Sequence, residues 1–156
     1  MQLATTTERV QMHTDEEVNR KIMAGLKHRL WYYLDHPEEI DARLLALQRE
    51  WDIERAIEAN AATLALTGLV LGFVASRKYL LLPTVVTGFL LQHALQGWCP
   101  PVPVFRRFGI RTQGEIQLER YALKALRGDF ASFEKPVPAK ERERSLPVKL
   151  LQAAQR

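Results

Sequence analysis

The sequence predicts an all-α protein: a two-helix transmembrane hairpin with amphipathic cytoplasmic or interfacial helices on both sides. Three observations lead there. Two uncharged apolar runs, residues 59–76 and 80–98, are separated only by Arg77-Lys78-Tyr79. The segments around them carry apolar side chains at helical spacing. The charge is also unevenly placed: residues 59–114 contain no Asp or Glu, whereas residues 1–58 hold twelve of the 18. By segment the net charge is about -4 over residues 1–58, +5 over 59–114 and +3 over 115–156, within a total of +4. The average over 156 residues, 47% hydrophobic and 26% charged, reads as an ordinary soluble chain and hides this division. A single cysteine excludes an internal disulfide framework and any cysteine-based metal site. The mild excess of base gives only weak ground for a nucleic-acid partner, none is expected, and no motif calls for a cofactor.

Residues 1–13 are polar and aperiodic, without the apolar stretch of a signal peptide, and are expected to form a flexible lead-in. Residues 14–58 read as an amphipathic helical region. Thr14-Asp15-Glu16-Glu17 has the form of a capping box, in which Thr14 and Glu17 satisfy each other's free amides. The helix it opens places Val18, Ile22, Leu26, Leu30 and Leu34 along one stripe and stops at His36-Pro37. A second helix begins at Pro37, carries Glu38 and Glu39 in its first turn, and lines up Ile40, Leu44, Leu47 and Trp51. Two readings of these stripes stand open: packing against a neighbouring helix, or lying on a membrane surface.

Residues 59–112 form the predicted hairpin and the segment that leaves it. At ~1.5 Å per residue the two runs span roughly 27–29 Å, close to the ~30 Å of a hydrocarbon core. Pro83 falls in the first turn of the second helix, and Tyr79 and Trp98 fall at membrane-interface depth. Arginines before and after the hairpin outnumber the basic pair in its loop, which places both termini in the cytoplasm. Membrane helices associate through close backbone approach and hydrogen bonds. The first run contains Gly68 and Gly72, and the second Thr84 and Gly88. Folding the chain at Lys78 puts Gly68 opposite Gly88, Gly72 opposite Thr84, and Asn60 opposite Gln96. Gln92, His93 and Gln96 then lie in the cytoplasmic half of the second helix. They read as interhelical or intersubunit hydrogen-bonding groups, with a proton relay or ligand role for His93 as the alternative.

Cys99 follows directly, then Pro100, Pro101 and Pro103, which should end the helix and hold the chain extended at the headgroup level. Arg106, Arg107 and Arg111 would meet lipid phosphates there. Cys99 reads either as a thiol made nucleophilic by nearby base or as a small residue filling a bend.

The run from Asp52-Ile53-Glu54-Arg55 through two short apolar helices to Gly97-x-Cys99-Pro100 and Gly109-Ile110-x-Thr112 resembles the YgaP-like inner-membrane domain family, whose function is unknown. The resemblance covers about residues 52–112. In this chain Cys99 and Gly109 lie about three residues further apart than in the common family pattern. The resemblance implies a bacterial inner-membrane location. Some relatives are fused to a rhodanese domain, which implies a sulfur-handling or thiol-redox context and a possible sulfurtransferase partner.

Residues 113–133 should form a short amphipathic helix with Ile116, Leu118, Tyr121, Ala122, Ala125 and Leu126 as its apolar side, closed by Gly128. Residues 134–156 read as a flexible basic tail with one helical turn near residues 148–154. The expected role is a small integral membrane module without enzymatic activity of its own, which self-associates or docks a partner. The alternatives are a thiol relay through Cys99, an oligomeric pore lined by Gln92, His93 and Gln96, and a soluble regulatory bundle.

Overall fold

The computed structural model describes residues 8–131. The expectations for the lead-in before residue 8 and for the tail from residue 132 onward lie outside the described residues. Among the described residues all regular structure is helical. Seven α-helices follow one another: α1 (Arg9–Met12), α2 (Glu16–Asp35), α3 (Ile40–Arg49), α4 (Ile53–Val74), α5 (Leu81–Gln96), α6 (Val102–Arg107) and α7 (Gln113–Arg127). One 3-10 turn, Pro37–Glu39, leads into α3 and another, Arg77–Leu80, joins α4 to α5.

The caps explain most boundaries. Asp15, not Thr14, caps α2: its carboxylate accepts from the Glu17 amide at 2.8 Å, while the Thr14 hydroxyl donates back to Val10 O. The expected capping box at Thr14 is therefore corrected. α1 occupies the chain just before it and takes that hydroxyl. A true capping box stands at the start of α7, where Thr112 and Glu115 bond each other's backbone amides. Asp52 caps α4 by accepting from the Arg55 amide. Gly97 and Gly128 end α5 and α7 in the left-handed region, φ +77° and +88°, which favours glycine.

α4 and α5 lie along each other, joined by the short turn, and form the most extensive helix pair of the molecule. The remaining helices make a headpiece around two apolar clusters. Val10, Ile53, Ile57, Cys99 and Val102 form one, at the base of the α4–α5 pair. Ile40, Leu44, Leu47, Ile116 and Leu123 form the other, between α3 and α7. The stripe expected on α3 is thus buried, except that Trp51 lies outside under the Arg55 guanidinium. On α2 only Ile22 and Leu26 are buried, and Leu34 is exposed.

Two local expectations are overturned. Residues 102–107 are helical rather than extended, because Pro101 and Pro103 fall at the N-cap and in the first turn, where the missing amide costs nothing. The buried face of α7 is Glu115, Ile116, Glu119, Leu123 and Lys124, while Leu118, Tyr121 and Leu126 face outward. Three of the five inward positions are charged, and of the expected apolar side only Ile116 is buried.

Candidate functional site

The outer surface of the α4–α5 pair is apolar. Among the described residues, only the helical stretch ending at Val74 is long and apolar enough to cross a membrane. The apolar part lies in α4, 22 residues in all, whose uncharged stretch over residues 59–74 is about 24 Å long. Only 17% of its most apolar 18-residue window is buried. Phe73 and Val74 are 84% and 81% exposed, and Leu66, Leu81, Leu91 and Leu95 are also exposed. α5 has 16 residues, about 24 Å.

The contact between the two helices departs from the expected register. A Cβ on Gly68 would sit 2.5 Å from Pro83 Cδ and 3.0 Å from Leu82 Cβ, and one on Gly72 would meet Leu80. Gly68 and Gly72 are therefore at the close approach, but they face the start of α5. Gly88 is exposed, with nothing within 4 Å of its Cβ position, and the exposed Thr84 bonds its own helix at Leu80 O. The Gly68–Gly88 and Gly72–Thr84 pairings are corrected. The 3-10 turn uses up residues 77–80, so the fold-back falls earlier than a loop centred on Lys78 would put it.

At the base of the pair, polar groups converge on Glu54. His93 is 3% exposed and its Nε2 bonds Glu54 Oε2 at 2.7 Å. Arg9 Nη2 donates to Glu54 Oε1 at 2.9 Å, and Arg9 Nη1 caps Ala94 O at 3.0 Å. The backbone of Arg9 comes so near Gly97 that a Cβ there would lie 2.7 Å from the Arg9 carbonyl carbon. α1 is thereby pinned to the end of α5. His93 thus has the carboxylate partner that its own segment lacks. Arg9 and Glu54 were missed because each is an ordinary polar residue in its own stretch. Gln96 is exposed, Gln92 is half-buried, and Asn60 lines a cavity rather than meeting Gln96.

That cavity, about 240 Å³, lies between α4 and α5 and is walled by Ile57, Leu64, Val86, Phe89 and Leu90, with Asn60 and Cys99 also in its lining. Cys99 is 5% exposed, and burial pushes its thiol above the ordinary value. The environment favours the neutral thiol, which packs as a small apolar group.

Arg106 and Arg111, expected to reach lipid phosphates, are turned inward; only Arg107 is exposed. Arg106 forks onto Glu115 at 2.7 and 2.8 Å and also donates to Asn19 Oδ1. Arg111 forks onto Glu50 at 2.7 Å through Nε and Nη2, and its Nη1 bonds Glu119. Glu119, 0% exposed, also accepts from Arg29 and Arg43. Burial alone would raise the Glu119 carboxyl, but Arg43, Arg29 and Arg111 outweigh it and hold the group at about 2. Burial likewise opposes ionisation of Glu115, and Arg106 with the Thr112 amide keeps it below the usual carboxylate range. The carboxylates come from α7 and the end of α3; Arg106–Glu115 and Arg111–Glu119 are nine and eight residues apart, whereas Arg29 and Arg43 reach Glu119 across 90 and 76 positions. The one sequence signal for them is Glu115 and Glu119, one turn apart on the same face as Ile116 and Leu123.

No protein-family model, curated protein or solved structure matches this chain.

Proposed function

We propose that this protein is a membrane-anchored helical module in which α4 and α5 enter the bilayer as a hairpin and the headpiece presents a docking surface at the cytoplasmic side. The observation that carries the reading is the apolar outer surface of α4, left uncovered on a helix long and apolar enough to cross a hydrocarbon core. A water-soluble fold would bury that stripe. α5 is shorter than a full span, a mismatch that local bilayer thinning and the basic turn Arg77-Lys78 would absorb. The YgaP-like resemblance over residues 52–112 belongs to this same reading. The headpiece is held by charged pairs facing one another, an arrangement suited to a rigid scaffold rather than to bond-making chemistry. A thiol relay through Cys99 has less behind it, since the thiol is buried and biased toward its neutral form.

Membrane fractionation tests the proposal. The expressed protein should stay with the membrane pellet after alkaline carbonate extraction and should leave it only with detergent. In a Cys99→Ser background, a cysteine placed at Ser76 in the turn should resist a membrane-impermeant maleimide added from the cytoplasmic side. Recovery in the carbonate supernatant would overturn the reading.

A further inference from the structure

We propose that the groove between α2 and the α6–α7 connection binds a single phosphate group, either inorganic phosphate or the phosphate of a lipid headgroup. The groove encloses about 540 Å³; Lys21, Gly25 and Arg29 line one wall, and Arg106, Arg107 and Arg111 line the other. This inference does not depend on the membrane reading, because the groove belongs to the headpiece.

Three observations point to an anion. The first is an open cation. Arg107, on the α6–α7 wall, is exposed and enters no ion pair among the described residues. The second is a half-used guanidinium. Arg29 holds Glu119 through Nε and Nη2, while its Nη1 lies beside Gly25 in the groove wall, 3.4 Å from where a Cβ would be.

The third is the charge balance. Four guanidiniums, Arg29, Arg43, Arg106 and Arg111, face three carboxylates, Glu50, Glu115 and Glu119, so one positive charge in the cluster is unneutralised. The groove also contains two acids, but both are engaged. Glu17 pairs with Lys21 at 2.7 Å, and Asp15 accepts the Glu17 amide as the α2 cap. The exposed Arg107 adds a further cation at the mouth. With all of these counted, the surroundings remain positive by one. Charged donors on opposite walls suit a tetrahedral phosphate, which offers acceptor oxygens in several directions. Gly25 and Gly109 keep side-chain bulk out of the space.

The test uses the full chain in two settings. In mild nonionic detergent, inorganic phosphate is titrated calorimetrically at constant ionic strength, with chloride as control. In nanodiscs, thermal stability is compared between phosphatidylcholine alone and phosphatidylcholine with phosphatidylglycerol. Saturable phosphate binding identifies a soluble source. A higher midpoint only with phosphatidylglycerol identifies a headgroup. In either arm Arg107→Glu should weaken the effect at least about tenfold, as expected for losing one charge-assisted contact. Gly25→Leu, which fills the groove without altering charge, should do the same, and it covers the case in which Arg107→Glu folds poorly. No response in either arm, or both folded variants responding like the parent, would overturn the proposal.

Discussion

Replacing Glu119 with Gln should destabilise the headpiece by about 3 kcal/mol at neutral pH, and by progressively less as the solution is acidified. Glu119 is fully buried and is the common acceptor for Arg29, Arg43 and Arg111. Those guanidiniums hold its carboxyl at about 2 against an ordinary 4.5. At about 1.4 kcal/mol per unit this gives the figure above, near the roughly 3–5 kcal/mol measured when one member of a buried ion pair is removed. Since the folded state has the lower value, the contribution is complete above pH 4.5 and is lost as pH falls through about 2. Thermal unfolding followed by far-UV circular dichroism in detergent, parent against variant, measures the difference. At neutral pH the midpoint should drop by roughly 10 °C. A gap below about 1 kcal/mol, or one that stays constant from pH 5 to pH 2, would refute the view that this carboxylate neutralises a buried cationic cluster.

Substitutions at the helix contact should separate the glycines. Gly68→Val should cost about 1–3 kcal/mol through collision with Pro83 and Leu82, whereas Gly88→Ala should be neutral or stabilising by up to about 1 kcal/mol; thermal melts of the two variants check the order. Gly97→Ala combines a left-handed backbone with a clash against Arg9 and should release α1, read as faster proteolysis near residue 9. Cys99 in the folded protein should react with maleimide at least about tenfold more slowly than after unfolding, and equal rates would contradict its burial. Arg106→Lys should cost about 2 kcal/mol, since an ammonium cannot fork onto Glu115 while also holding Asn19, and an unchanged melting midpoint would count against it.

Much of the helical layout was legible along the chain. Pro37 opens a helix, Gly128 closes one, and Ile40, Leu44 and Leu47 face inward as their spacing suggests. Each of these rests on local stereochemistry or on a period counted within one segment. The errors share a cause. Thr14 looked like a cap until α1 took its hydroxyl, and the three prolines looked like breakers until one became the N-cap of α6 and another fell into its first turn. On α7 the outward Leu118, Tyr121 and Leu126 resembled a core stripe, because the inward face is held by charge rather than by apolar contact.

The sequence by itself determined that the chain is helical and that residues 59–98 are too apolar and too free of charge to be an ordinary solvated surface. Helix propensity, capping and solvation of a continuous run act between neighbours, so they can be read without knowing the fold. Only the tertiary structure decided where the arginines point. Arg106 and Arg111 meet Glu115, Glu50 and Glu119, and His93 meets Glu54 across 39 positions. A buried charge is stable only beside its counter-charge, and which residues become neighbours depends on how the helices pack, something no local pattern encodes.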